Sequence, residues 1–387
     1  MHLAPAPFAG LDPASYALPS ELAERALSPA LVVHLHAVRH NIARSIALCG
    51  GDPGRWRPHV KTTKIPAVMR ELARAGVRHF KCATTREAAV LLDVLEQEGV
   101  EGGDLLLAYP LVGPALQRLG ALATRHPRAR VSVLCDVPEA VRDVPPGVGV
   151  FVDVNPGMDR TGASLEDGER LRATARAAGE RLRGLHFYDG HLHQADRGER
   201  ALAVHAGYDR LLELARALER AGCACEELIT AGTPAFADAL AYEGFSAGKP
   251  VHRASPGTVV FHDARSEELC PELGLLPAAL VLTRVVSQPA ADLATCDAGS
   301  KSLAAEAGEP CALVLGRPDL EAQKPSEEHL PLRGVPGALP ARGELLQLVP
   351  RHVCPTVNLA EQAALVEHGT LVGVVPVSAR AHELFPD

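Results

Sequence analysis

The chain has 387 residues, 47% of them hydrophobic, with nine cysteines, a formal charge of -8 and a pI near 6.1. That length suits a barrel of ~250 residues with a second domain attached, and the mild acidity leaves no footprint for nucleic acid or an anionic membrane surface. An odd, scattered cysteine set excludes a secreted disulfide scaffold, no basic-then-apolar leader opens the sequence, and no apolar run approaches the ~20 residues of a membrane span, so a reduced, cytoplasmic protein is expected.

Residues 1 to 28 are rich in Pro and Ala, and Leu18-Pro19-Ser20-Glu21 is placed to cap a short helix. Residues 30–35 read as the first buried strand, and an amphipathic segment follows to Cys49. Next comes Arg57-Pro58-His59-Val60-Lys61-Thr62-Thr63-Lys64. Extended character runs from Trp56 to Val60, and Ile65, Val68, Met69 and Leu72 recur at helical spacing, so Lys61 falls on a strand-to-helix turn.

Phe80-Lys81-Cys82-Ala83 is a short strand running into a helix capped at Thr84-Thr85. The same beat repeats at residues 105–110, 131–135, 148–154, 182–188 and 227–230. Strands alternating with helices imply βα units and a parallel sheet, in a number that suits a closed (β/α)8 barrel. After about residue 264 the segments 280–287, 291–296, 311–315, 344–349 and 370–377 read as strands without intervening helices. The expected architecture is α/β: a barrel over 28–262, and an antiparallel β domain from 1–27 and 263–387.

In such barrels the strand-to-helix turns form the catalytic face. A lysine there can form a Schiff base when burial or neighbouring cations leave its amine unprotonated, and His59 and Lys64 are the nearby cations; the plain alternative is a solvated lysine. Two turns suit an anion. Gly232-Thr233-Pro234 follows a strand and opens a helix, and Ser255-Pro256-Gly257-Thr258 precedes Val259; an ordinary cap and a type II turn are the alternatives. The run from His186 to His193 holds three histidines, Tyr188 and Asp189, enough for a general base at neutral pH. If Val349 to Asn358 is extended, His352 and Cys354 share a face and form a ligand pair suited to Zn²⁺, against a merely buried cysteine.

Arg57-Pro58-His59-Val60-Lys61-Thr62-x-Lys64 resembles the pyridoxal-phosphate lysine segment of the D-threonine aldolase and D-serine dehydratase family, relatives of the alanine racemase barrel. Asn155-x-Gly157-Met158-x-Arg160-x-Gly162 is similar to a racemase-family segment, and 255–263, 82–88, 297–302 and 326–329 also resemble the family. By resemblance Lys61 carries the cofactor, Arg160 and Tyr188 contact its ring side, and Gly232, Thr233, Gly257 and Thr258 serve its phosphate. His191 and His59 are the acid/base candidates, and His352 with Cys354 holds a divalent ion, Zn²⁺ or Mn²⁺. The chain departs from the family at Thr63, where a His is usual, and at Val259, where a Tyr is usual.

The resemblance implies a lyase that cleaves β-hydroxy-D-amino acids such as D-threonine to glycine and an aldehyde. D-serine dehydratase chemistry is the alternative: His-x-Cys belongs to that branch, whereas the continuation Pro355-Thr356-Val357-Asn358-Leu359 belongs to the aldolases. An amino-acid racemase and a non-catalytic cofactor-binding protein are weaker readings. The expected partners are an amino-acid substrate and a second copy of the chain.

Overall fold

A computed structural model describes residues 7, 8 and 10–385. Residues 1–6 and 9, expected to join the second domain, lie outside the described residues. The described residues form two compact units, one of residues 45–61, 69–257 and 381–385, the other of 7, 8, 10–44, 62–68 and 258–380. Strand β1 (Ala30–His34) lies in the second of these. The apolar run Ala30–Val33 reads the same in either sheet; its partners, at 279–282 and 363–366, are hundreds of residues away.

The first unit is a parallel barrel. Strands β2 (His79–Cys82), β3 (Asp104–Leu107), β4 (Arg130–Cys135), β5 (Gly149–Asn155), β6 (Ala163–Ser164), β7 (Leu182–Phe187), β8 (Glu227–Thr230) and β9 (Val251–Ala254) pair in the order β2-β3-β4-β5-β7-β8-β9, with β6 beside β5. The ring closes through the segment that leads to Lys61. Trp56 bridges Ala254 and His59 bridges Lys81, both in parallel, while the N–H of Arg57 donates to Ala254 O (2.9 Å) and that of Val60 to Lys81 O (2.8 Å). This short segment is the eighth stave.

These strands are short apolar runs because both faces of a parallel sheet are covered. Helix Thr85–Gln97 starts as its sequence dictates: Thr84 Oγ1 accepts from Glu87 N–H, and Glu87 reaches back to Ala83 N–H (2.7 Å), a reciprocal cap.

Alternation along each strand sorts the barrel interior into layers. At the amino-terminal end, fully buried Arg57 is clamped by Glu227 (2.7 and 2.8 Å) and Asp104 (2.9 Å). Two residues further along the strands Leu106, Leu134, Phe151 and Ile229 form an apolar cluster. At the carboxyl-terminal end lie Lys81, Asp153 and His186, each with a polar head and each buried. The interior is therefore polar at both ends and dry between.

The second unit is antiparallel, as expected, apart from a β1–β16 pair. Strands β10 (Ala279–Ala290), β11 (Leu293–Cys296), β12 (Ala312–Val314), β13 (Glu321–Ala322), β14 (Leu330–Arg333), β15 (Leu345–Pro350), β16 (Gln362–Glu367) and β17 (Thr370–Pro376) complete it with β1. Pairing runs β11-β14-β13-β12-β15-β10 and returns to β11, a closed barrel around Val285, Leu303, Val314, Leu330 and Leu348, and β1, β16 and β17 extend it from β10. Two short helices interrupt the strand series, Ala264–Leu269 and Val353–Leu359. Among the described residues no helix is long and apolar enough to cross a membrane, and the cysteines form no disulfide.

Candidate active site

Lys61 sits in the turn that ends the eighth stave, at the carboxyl-terminal face of the parallel barrel. Its backbone N–H donates to His59 Nδ1 (3.3 Å), so that nitrogen carries no proton. His59 thereby holds the turn, and this hydrogen bond does not require a second positive charge there. Lys64, at a φ of +50°, donates to Ala379 O (3.3 Å) within the other unit. Thr63 is buried at 1% exposure.

The other loops at this face are tied together by Asp189. Its Oδ1 accepts from Gly232 N–H (3.0 Å) and its Oδ2 from Tyr208 Oη (2.6 Å), which joins the loop after β7 to the loop after β8. Burial holds the Asp189 carboxyl above the usual carboxylate range, against the pull of those donors. Tyr188 lies half-buried beside this tie. A Cβ at Gly232 would meet its ring at 3.3 Å and one at Gly190 at 2.3 Å, so both glycines make room for the aromatic face.

Arg160 lies 5.0 Å over the same ring. Its loop is folded by Asn155, whose Oδ1 accepts from the N–H groups of Gly157 (2.9 Å) and Asp159 (3.1 Å). His191 stands near this loop: a Cβ at Gly157 would be 3.7 Å from its Nε2, and its buried Nδ1 has no hydrogen-bond partner. His193 is exposed.

The residues fit a phosphorylated ligand at neighbouring strands β8 and β9 and the stave of Lys61. Ser255 Oγ, after β9, is buried and unpartnered. Gly257 lets its backbone pass His59, whose carbonyl oxygen would lie 2.3 Å from a Cβ there. Ala231, before Gly232 and Thr233, is held at a φ of +66°, a conformation that persists only where its surroundings enforce it. The Gly232 N–H is already used by Asp189, which leaves the rest of that turn and the 255–257 turn to meet an anion. Thr258 lies in the other unit, with its Oγ1 3.5 Å from Cys354 Sγ.

Two residues at this end of the barrel, Lys81 and Asp153, were not singled out by the sequence, and His186 was read only as one histidine of the 186–193 run. Lys81 Nζ lies 3.4 Å from His186 Nε2 and 5.3 Å over the Tyr188 ring, and His186 Nδ1 lies 2.7 Å from Asp153 Oδ1. Burial and then the charge of Lys61 bring the Lys81 amine down to about 7, and burial with the charge of Lys81 also depresses His186. A charged residue inside a four-residue buried strand was the available signal.

In the second unit His352 is extended and Cys354 starts the helix Val353–Leu359, so the pair does not alternate along a strand as expected. The two side chains nevertheless meet: hydrogen bonding and charge from Cys354, with Asp263 and Glu306, raise His352 to about 9 against the opposing effect of burial. His352 Nδ1 is 2.5 Å from Glu306 Oε1, and Cys354 Sγ has Thr62 Oγ1 at 3.0 Å. An imidazole steered by a carboxylate, with a thiol beside it, is a donor set that suits a borderline-soft cation. Among the described residues the His, Cys, Asp and Glu groups whose ligand atoms all lie close enough together to hold an ion are Asp93, Glu96 and His126, on the barrel's helices, and not this pair.

Comparison with known proteins finds two family matches along the chain. Residues 33–263 match the family "Alanine racemase, N-terminal domain", and residues 278–366 match "Putative serine dehydratase domain". A D-threonine aldolase from Arthrobacter sp is 31% identical over 382 residues, covering 94% of this chain and 95% of that one. A 3-hydroxy-D-aspartate aldolase from Paracoccus denitrificans (strain Pd 1222) is 28% identical, with the same coverage. The crystal structure of D-threonine aldolase from Filomicrobium marinum superposes with a TM-score of 0.81 at 30% identity, over 93% of this chain and 96% of that one.

Proposed function

The chain belongs to the D-threonine aldolase and D-serine dehydratase family, with the alanine racemase-like barrel, and from that premise we propose that it is a pyridoxal-phosphate- and divalent-metal-dependent lyase. Its reaction is the cleavage of β-hydroxy-D-amino acids of the D-threonine type to glycine and an aldehyde. One observation carries the reading: the lysine turn, the buried unpartnered Ser255 hydroxyl and the Tyr188–Arg160 stack all lie at the carboxyl-terminal face of one parallel barrel.

Pyridoxal phosphate, when bound, supplies an electron sink for the carbanion left at the substrate's α-carbon. The protein's own residues do the rest. Lys61 would hold the cofactor through its amine, and His59 fixes the backbone of that turn. Tyr188 and Arg160 bear on the ring side, and the 233 and 255–257 turns on the phosphate. His352 and Cys354 would hold a divalent ion that polarises the substrate's β-hydroxyl. His191, with a free Nδ1, is the base that takes the hydroxyl proton.

A second reading is favoured by Cys354: a thiolate ligand suits zinc, and loss of the β-hydroxyl as leaving group would yield a keto acid and ammonia. Racemisation gives the metal pair nothing to do, and a non-catalytic cofactor carrier leaves the pair unexplained. The test is product analysis by mass spectrometry after separate incubation with D-threonine and D-serine, pyridoxal phosphate, and Zn²⁺ or Mn²⁺. Glycine and acetaldehyde from D-threonine support the aldolase. Pyruvate or 2-oxobutyrate with ammonia selects the dehydratase.

A further inference from the structure

The chain contains six lysines, and Lys81 is buried to 2% exposure at the carboxyl-terminal end of the barrel interior. Its backbone is hydrogen-bonded to the stave that carries Lys61, N–H to Pro58 O (2.9 Å) and O from Val60 N–H (2.8 Å). No described carboxylate forms an ion pair with its amine. A charged lysine without a counter-ion is costly to bury, so such an amine passes readily between charged and neutral forms.

What faces it is a chain of defined polarity. His186 is depressed by burial and is therefore neutral; its Nδ1–H donates to Asp153 Oδ1 (2.7 Å), which leaves Nε2 as an acceptor 3.4 Å from Lys81 Nζ. The Tyr188 ring lies under the amine at 5.3 Å. The charged groups bearing on it are Lys61, Arg160 and Arg57, which disfavour its proton, and Asp189, which favours it. These groups lie on the stave of Lys61, the loop after β5, and β7 with the loop that follows it.

We propose that Lys81 is a proton-carrying residue of the barrel site, held in place by His186 and Asp153. Its lone pair takes up one proton from the bound amino-acid substrate as the substrate's own bond to that proton breaks, and the ammonium's N–H bond breaks when the proton is returned to the product. Nε2 of His186 accepts from the amine in both states, and the Nδ1–H bond to Asp153 is kept throughout. No other bond forms or breaks. The inference rests on the reading of Lys61 as the cofactor lysine, and the depressed proton affinity of Lys81, near pH 7, accords with it.

The experiment is ¹³Cε NMR of lysine-labelled holoprotein across pH, alongside the pH profile of kcat, for the native chain and for Lys81→Met and Lys81→Arg. One resonance titrating well below the other lysines, because its amine is buried, missing from Lys81→Met, is expected, with a limb of the kcat profile at the same midpoint. Arginine keeps the charge but does not deprotonate. Lys81→Arg is therefore expected to retain the cofactor's Schiff-base absorbance and lose turnover by ~100-fold or more. A merely structural cation predicts the reverse, so Lys81→Arg with native turnover overturns the proposal, as does a Lys81 resonance that titrates with the other lysines. Lys61→Ala separates the two readings: if it keeps the Schiff-base absorbance, the Lys61 assignment fails, while the NMR midpoint still judges Lys81.

Discussion

The Thr62 hydroxyl stands 3.0 Å from the sulfur of Cys354, and Thr62 is the residue that follows Lys61 in the chain. His352 and Cys354, which act on one another electrostatically, are where a divalent ion would be held, displacing protons from its ligands. Cys354→Ala is expected to lose bound Zn²⁺ or Mn²⁺ and turnover together while the Schiff-base absorbance persists. Metal analysis after gel filtration, read against product formation, checks this. Retained metal with full activity returns Cys354 to ordinary packing.

Lys61 supplies an amine at the barrel face, and no other side chain in that turn offers one to the same space: Lys64 is engaged with Ala379 O. Lys61→Ala is expected to abolish the Schiff-base absorbance, and borohydride followed by peptide mapping should find no pyridoxyl group. In the native chain the label belongs on the peptide containing Lys61. Label on a different lysine means the assignment is wrong.

The floor of the barrel makes a prediction about stability. Arg57 is fully buried and satisfies both oxygens of Glu227 and one of Asp104. Arg57→Met fills similar volume but takes one guanidinium from two buried carboxylates, leaving Glu227 to Arg253 (2.6 Å) and Asp104 to the more distant Arg130 (3.7 Å), and removing one partner of a buried ion pair costs about 3–5 kcal/mol. A urea midpoint should fall accordingly, and Glu227→Gln added to the variant should recover part of the loss. An unchanged midpoint would show that water reaches this layer.

Periodicity made the alternation of strands and helices legible, and with it the barrel, because both signals are local. It could not sort β1 from the barrel strands: Leu31, Val32 and Val33 are apolar in either setting, and only pairing with Leu280, Val281 and the distant β16 decides it. β16 and β14 were missed for the same reason: short, mixed segments gain strand character from neighbours. Lys61, Arg160, Tyr188 and Gly232 were visible because motif spacing survives in sequence. Lys81, His186 and Asp153 meet across the barrel from three strands, and that closeness is written only in the fold. His352 and Cys354 were found by wording, yet through a helix start and not through the extended geometry assumed for them.

The last prediction concerns acid sensitivity and comes from His252. Its Nε2 meets Thr230 Oγ1 (2.8 Å), its ring stacks on Phe245 at 3.9 Å, and burial brings its folded value from 6.5 down to about 3. The folded state thus refuses a proton that the unfolded chain accepts, so this contribution is intact above pH 6.5 and is lost as pH falls toward 3. At pH ~5 the loss from this group is about 2 kcal/mol. His252→Gln keeps a polar partner for Thr230 and cannot take the proton; the stacking it forfeits is the same at every pH. Urea denaturation of both proteins at pH ~7.5 and ~5 therefore isolates the titration, since His34 and His79, also depressed by burial, act equally in each. The native chain should lose more stability than the variant on acidification, by about 2 kcal/mol. Equal losses would mean that His252 is protonated in the folded state, which the stacked, buried ring has no acceptor to accommodate at Nδ1.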